Sequence, residues 1–169
     1  MIREKFLSID PARCTGCMEC EGACSTRHAG KRRSGRPRIQ VLGGGTGSRD
    51  FHFPVTCQQC SDPPCMAACP KNAIHRHPEL GSVVLDDHLC VGCKMCVSAC
   101  PSGAMGFDTD LALAYKCDLC GGDPQCVRVC QPKAIEYEPA ERIPHVRMIQ
   151  CASKLYHAVR NQVALPAVQ

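Results

Sequence analysis

The sequence predicts an α+β fold assembled from small repeated units. Sixteen of the 17 cysteines form four quartets, similar strand-like segments flank these quartets, and aromatic residues make up only 4% of the chain, with no Trp. A small domain with so few large apolar side chains usually needs disulfides or metals for stability. The quartets are Cys14, Cys17, Cys20, Cys24; Cys57, Cys60, Cys65, Cys69; Cys90, Cys93, Cys96, Cys100; and Cys117, Cys120, Cys126, Cys130.

The segments around the quartets repeat a common local pattern. Short β-like runs precede the first and third quartets, at residues 7–10 and 83–86. One-turn helices are expected between the third and fourth cysteines, as at residues 66–68 and 97–99. After each of the last three quartets a tight turn leads into a short strand, and residues 74–77 and 83–86 would pair as a hairpin. Such units must pack together to bury apolar surface.

The spacing of the cysteines is typical of iron–sulfur ligands. Two quartets have the pattern C-x2-C-x2-C-x3-C, and the other two lengthen the middle gap to four or five residues. Bacterial ferredoxins hold cubane clusters with such runs, and the fourth cysteine of a run can serve the other cluster. All sixteen cysteines are therefore predicted ligands of four [4Fe–4S] clusters. Spacing alone leaves open which quartets exchange their fourth cysteine.

Zinc and disulfides are weaker interpretations of the same cysteines. Structural zinc sites commonly use two C-x2-C pairs separated by a longer loop, whereas three cysteines spaced two apart crowd a single tetrahedral ion. Disulfides are typical of secreted proteins, and the charged N-terminal residues 1–5 do not predict a secretion signal. We therefore expect a cytoplasmic protein with reduced thiols. No apolar run reaches the ~20 residues of a membrane span.

Four motifs carry a resemblance to a known family. They are CTGCMEC at 14–20, CQQCSDPPC at 57–65, CVGCKMC at 90–96 and KCDLC at 116–120. Across roughly residues 5–137, the chain resembles the four-cluster iron–sulfur subunits of molybdenum and tungsten oxidoreductases, formate dehydrogenases and hydrogenase complexes. It is most similar to the small subunit of bacterial tungsten aldehyde oxidoreductases. One departure is Ser25, since Cys24 is not followed by the usual Pro.

The resemblance implies two bacterial ferredoxin-like halves, one inserted in the other. The outer half would comprise residues 1–49 and 109–140, the inner half residues 50–108, and residues 141–169 a C-terminal helical extension. It also implies four ligand sets, here named A to D. Set A is Cys14, Cys17, Cys20 and Cys130; set B is Cys117, Cys120, Cys126 and Cys24; set C is Cys57, Cys60, Cys65 and Cys100; set D is Cys90, Cys93, Cys96 and Cys69.

The expected function is electron transfer rather than catalysis, because every quartet is complete and leaves no iron open for substrate. The resemblance implies a large tungsten- or molybdenum-containing catalytic partner, with a flavin subunit or a ferredoxin as the second electron carrier. Alternatives are a free-standing polyferredoxin, a hydrogenase or formate dehydrogenase subunit and, more remotely, a zinc-stabilised binding module. Protomers could also associate with one another.

The charged and apolar segments outside the quartets predict less. The formal net charge is +4 with every cysteine counted as neutral, so bound thiolates would reverse its sign and nucleic-acid binding is not expected. The basic segment 27–38 is expected to be a solvated loop or a docking patch, followed by a strand at residues 39–42. In the tail, apolar residues at three- and four-residue steps from Ile149 to Val163 predict an amphipathic helix, with the lone Cys151 as a buried apolar residue.

Overall fold

The computed structural model describes residues 5–29, 36–44 and 51–142. These residues form helices and antiparallel strands, as expected for the predicted α+β class. The helices are α1 (Glu19–Ala29), α2 (Pro64–Ala67), α3 (Met95–Ala99) and α4 (Gln125–Val129), with 3₁₀ turns at Pro11–Arg13 and Leu119–Gly122. The strands are β1 (Lys5–Ile9), β2 (Ile39–Gly44), β3 (Phe51–Thr56), β4 (Ile74–Arg76), β5 (Val83–Leu85), β6 (Gly106–Asp108), β7 (Leu113–Tyr115) and β8 (Ile135–Pro139).

The described strands pair into four two-stranded antiparallel sheets. Three of the sheets are hairpins of consecutive strands, namely β2–β3, β4–β5 and β6–β7. The fourth joins β1 to β8, with Leu7 opposite Tyr137 and Ile9 opposite Ile135. This long-range pair brings the two ends of the described chain together.

The β4–β5 hairpin confirms the predicted pairing, with Ile74 opposite Leu85. The hairpins β2–β3 and β6–β7 were not predicted. Pro54 lies inside β3, and a proline within a run argues against a central strand because it cannot donate a hydrogen bond. In a two-stranded sheet every strand is an edge, so Pro54 is tolerated opposite Val41. The predicted boundary at 108/109 falls at the end of β6, and the one at 49/50 lies outside the described residues.

The helices differ from one another in length. Helices α2, α3 and α4 are the short segments expected before a fourth cysteine. Helix α1 has 11 residues, begins before Cys20 and continues past Cys24. Acidic residues in its first turn and Arg27 and His28 in its last turn oppose the charges of the helix dipole. Helix α1 packs against α4, and α2 packs against α3.

Two separate groups of buried residues form the core. The first contains Cys20, Cys24, Ile39, Val41, Cys126 and Ile135. The second contains Cys65, Ile74, Val83, Cys96, Met105 and Ala114. Cysteine side chains therefore occupy positions that aliphatic residues fill in ordinary domains.

The predicted amphipathic helix from Ile149 to Val163, together with Cys151, lies outside the described residues. Within the described ranges no helix is long and apolar enough to cross a membrane.

Candidate metal centres

The four quartets share one arrangement on the fold. The third cysteine of each lies on a helix, and all four of these side chains are buried. They are Cys20 on α1, Cys65 on α2, Cys96 on α3 and Cys126 on α4. The first two cysteines precede the helix in an irregular loop, where Cys17 and Cys93 are exposed. The first and third quartets therefore run from an exposed second cysteine to a buried third one, whereas in the fourth quartet the first cysteine, Cys117, is itself buried.

Left-handed backbone conformations occur in every ligand loop. Gly16 and Met18 have positive φ in the first quartet, and Gln59 does in the second. Gly92 and Lys94 repeat the pattern in the third, and Leu119, Cys120 and Gly121 in the fourth. Positive φ turns the chain sharply within two residues. Such turns let closely spaced cysteines surround one centre instead of pointing to alternate sides.

One cavity collects the four cysteines of set C. Its lining includes Cys57, Cys60 and Cys65 from the second quartet and Cys100 from the third. Lys116 also lines this cavity, and among the described residues no carboxylate does. Cysteines from two quartets thus meet at one place.

A second cavity collects the four cysteines of set D in the reciprocal way. Cys90, Cys93 and Cys96 come from the third quartet and Cys69 from the second. Lys71 and Lys94 also line it. Cys100 therefore lies with the first three cysteines of the second quartet and Cys69 with those of the third, an arrangement that sequence spacing alone left open.

The electrostatic neighbours of Cys20 and Cys126 show which cysteines of sets A and B lie near each other. Burial, followed by the neighbouring Glu21, Cys17 and Cys130, raises the pKa of Cys20 to about 12 against an opposing backbone hydrogen bond. Burial, and then the nearby Cys117, Cys24 and Cys120, also raises the pKa of Cys126. Cys130 thus neighbours the first quartet, and Cys24 neighbours the fourth.

Burial is the largest cause of the raised pKa values of the thiols on the helices. It raises the pKa of Cys65 and of Cys96. It also raises the pKa of Cys117, which precedes the helix, to about 12. A buried thiol is neutral in such surroundings unless a nearby cation stabilises the thiolate. A metal centre bound among four such sulfurs would supply the positive charge that stabilises their thiolates.

Two fourth cysteines are surrounded by backbone donors. Burial alone would raise the pKa of Cys69, but hydrogen bonds from the backbone N–H groups of residues 71–74 outweigh it and lower that pKa. The N–H of Ala73 donates to Cys69 Sγ at 3.3 Å. For Cys100 the burial effect is likewise outweighed, here by Ser102 and the N–H groups of Ala104 and Met105, so its pKa is lowered. The turn after each Cys-Pro pair therefore stabilises a thiolate.

These residues fit an iron–sulfur cluster. Soft thiolate ligands select iron–sulfur clusters, zinc or copper(I). Each cavity offers four cysteines, basic residues, and, for Cys69 and Cys100, N–H donors aimed at sulfur. Hydrogen bonds to the sulfurs are among the features that set cluster potentials.

Other residues near the cysteines were not identified from the sequence. His28 Nε2 lies 3.8 Å from Cys120 Sγ and 3.6 Å from Asp118 Oδ1. Ligand atoms of these three residues lie within 4.8 Å of one another, but Cys120 belongs to set B, so they form no independent metal site. Because 92 residues separate His28 from Cys120, no local pattern could have indicated this contact.

The described end of the basic segment also differs from the expected solvated loop. Arg36 pairs with Asp108 at 2.7 Å and with Asp110 at 3.1 Å. Arg38 pairs with Asp118 at 3.0 Å, and its backbone N–H donates to Cys24 Sγ at 3.2 Å. These arginines connect the segment after α1 to the second half of the chain. Residues 30–35 lie outside the described residues.

Comparison with known proteins identifies the family. The 4Fe-4S dicluster domain matches residues 49–139, more than half of the chain. The chain belongs to this family. Its relatives are iron–sulfur subunits of oxidoreductases, and the chain is an iron–sulfur electron-transfer protein of that kind.

Two curated relatives are similar to most of this chain. The probable anaerobic dimethyl sulfoxide reductase chain YnfG of Escherichia coli K12 is 36% identical over 152 residues, covering 80% of this chain and 73% of the relative. The polyferredoxin-like subunit of the aliphatic sulfonate oxidoreductase of Pyrococcus furiosus is 38% identical over 125 residues, covering 74% of this chain and 70% of the relative. Among solved structures, the BamBC complex of benzoyl coenzyme A reductase contains a chain 23% identical, with a TM-score of 0.43, covering 92% of this chain and 96% of that chain.

Proposed function

We propose that this chain holds four [4Fe–4S] clusters and relays single electrons between a catalytic tungsten or molybdenum subunit and a flavin subunit or soluble carrier. The observation that carries the proposal is the pair of cavities, each lined by three cysteines of one quartet and one of another. When bound, each cluster supplies a one-electron redox centre. The protein supplies ligands, burial and hydrogen bonds, and no catalytic role is proposed for its side chains.

The proposed ligands are the sixteen cysteines of sets A to D. The lining of the two cavities supports sets C and D, and the electrostatic neighbours of Cys20 and Cys126 support sets A and B. Because each set draws on two quartets, bound metal would connect distant segments of the chain. Stability would then depend on metal binding.

Contacts between the sets support an order A, B, C, D through the molecule. Cys20 of set A affects the pKa of Cys126 in set B, and Cys57 of set C affects that of Cys117 in set B. Sets C and D share the second buried group, which contains both Cys65 and Cys96. Adjacent sets of this kind suit a protein that conducts electrons through its length.

Two ferredoxin-like halves remain part of the proposal. The pairing of β1 with β8 and the packing of α1 on α4 support an outer half formed by residues 1–49 and 109–140. The hairpin β4–β5 and the packing of α2 on α3 support an inner half at residues 50–108. Residues 141–169 would form the C-terminal extension.

A subunit role is supported by the family and by one exposed surface. The names of both curated relatives describe a chain or subunit of a larger enzyme. On the β2–β3 hairpin Leu42 lies opposite Phe53, and Phe51 lies two residues from Phe53 on the same face. All three side chains are exposed, as is common where a protein meets a partner. The partner proposed from the sequence resemblance is an aldehyde oxidoreductase, and a cytoplasmic location fits its reduced thiols.

The ligand sets can be tested by counting iron in paired variants. Anaerobic preparations of the unmodified chain should contain about sixteen iron atoms. Cys65→Ala and Cys100→Ala should each affect one site, and combining them should lose no more iron than either alone because both belong to set C. Combining Cys100→Ala with Cys96→Ala should affect two sites and lose about twice as much iron. Cys151→Ala, outside the quartets, is the matched control and should keep all the iron.

Two results would contradict the proposal. If the Cys96 and Cys100 changes behaved as one site, the fourth cysteines would not be exchanged. If the unmodified protein contained zinc in place of iron, electron transfer itself would be excluded. Native purification with any bound neighbour distinguishes a dedicated subunit, which should co-elute with a large cofactor-bearing chain, from a free-standing polyferredoxin.

A further inference from the structure

Lys116 is a buried lysine between two of the proposed ligand sets. It is only 1% exposed and is the largest of the fully buried side chains in the described part of the chain. Its Nζ donates hydrogen bonds to the carbonyl oxygen of Val83 and, at 2.8 Å, to that of Cys117. No carboxylate of the described residues lies within ion-pair distance of Nζ. A buried ammonium without an acidic partner is costly, so its charge needs another source of compensation.

Gln59 holds the lysine's two acceptors together. Its Nε2 donates to the carbonyl oxygen of Cys117 at 3.0 Å, and its Oε1 accepts from the backbone N–H of Val83 at 2.7 Å. Gln59 is itself buried. Lys116 and Gln59 thus connect the loop of the second quartet, strand β5 and the first cysteine of the fourth quartet. This network fixes where the ammonium lies.

Lys116 lies next to cysteines of two ligand sets. Lys116 lines the cavity of set C, and it begins the KCDLC motif by preceding Cys117 of set B. Its charge opposes the effect of burial on the pKa of both Cys65 and Cys117. The residue is therefore placed to compensate negative charge at both sets at once.

We propose that Lys116 is a positioning residue: it holds a fixed positive charge that raises the reduction potentials of the two sites formed by sets B and C. The inference rests on the proposed function, because it requires clusters at those sets. Reduction adds one electron, and hence one negative charge, to a site. A fixed positive charge in a buried, low-dielectric region favours that reduced form more than a solvent-exposed charge does. Among the described residues, Lys116 is absent from the lining of the set D cavity.

The test is a dithionite titration of the purified holoprotein followed by EPR. We expect Lys116→Met to decrease the equilibrium constant for reduction about tenfold, or 59 mV for one electron, at two of the four sites. Lys71→Met is the matched control, since it removes one positive charge from an exposed lysine lining the cavity of set D. Solvent screens that charge, so the shift should be much smaller. Unchanged potentials in fully loaded Lys116→Met, or equal shifts at all four sites, would overturn the inference.

Two further variants separate the effect of charge from that of packing if the Lys116→Met protein binds less iron. Lys116→Gln removes the charge but keeps donors for the carbonyls, and Lys116→Arg keeps the charge. Loss of iron from the Met and Gln variants with full loading of the Arg variant would support charge compensation. Loss of iron from all three would show that only packing matters and would overturn the inference. Absence of iron from the unmodified chain would instead overturn the proposed function.

Discussion

Gly92 and Gly103 allow a direct test of why the ligand loops contain glycine. Both have positive φ, +69° and +65°, so alanine at either position meets the same left-handed strain, about 1–2 kcal/mol. A Cβ at Gly92 would lie 2.3 Å from the carbonyl oxygen of Ala112, whereas a Cβ at Gly103 would meet nothing within 4 Å. Backbone cannot move aside as a flexible side chain can. Overpacking of this kind typically costs a further 1–3 kcal/mol or so, roughly doubling the effect.

Gly92→Ala should therefore be less stable than Gly103→Ala by about 1–3 kcal/mol. Since about 1.4 kcal/mol is a factor of ten in an equilibrium constant, the populations of opened protein should differ at least severalfold. Anaerobic guanidinium titrations, followed by far-UV circular dichroism and by visible absorbance, measure both unfolding and cluster loss. Gly103→Ala serves as the control for left-handed strain. Equal midpoints for the two variants would refute the assignment of the contact between Gly92 and the β6–β7 turn.

Three further outcomes are expected from other parts of the structure. Arg38→Met should lower the free energy of unfolding by about 1 kcal/mol, because its ion pair with Asp118 is partly buried, whereas Arg128→Met should change it by less than about 0.5 kcal/mol because its ion pair is exposed. Ser25→Ala should be neutral or stabilising in denaturant titrations, because the Ser25 hydroxyl is fully buried with no hydrogen-bond partner; a loss above about 1 kcal/mol would reveal a partner. Removing iron with an anaerobic chelator should abolish most of the circular dichroism signal of the helices, and an unchanged spectrum would contradict metal-dependent folding.

Local features of the fold were predictable because they depend on neighbours in sequence. The β4–β5 hairpin and the short helices carrying Cys65 and Cys96 lie where alternation and spacing indicated. The hairpins β2–β3 and β6–β7 were missed. In β2–β3, Pro54 argued against a strand at residues 51–56. The three-residue strands β6 and β7 are too short to show an apolar alternation.

The candidate site likewise contains features that the sequence predicts and features that depend on long-range contacts. Recognition of the cysteines as soft ligands needed only their type and spacing. The burial of Lys116 did not follow from its type, because a lysine is normally exposed and its acceptors come from residues far along the chain. Likewise, the ion pairs of Arg36 and Arg38 join segments about 70–80 residues apart, which no local pattern indicates.

The sequence by itself determined the chemistry of this protein, since sixteen thiols in short runs are suited to soft metals in any arrangement of the chain. Tertiary structure alone decided which of these runs lie together. Cys100 lies beside Cys57, Cys60 and Cys65, and Cys69 beside Cys90, Cys93 and Cys96, because packing of α2 on α3 brings the end of each helix to the other's loop. Pairing across the fold is a property of packed surfaces, and spacing within one run carries no information about it.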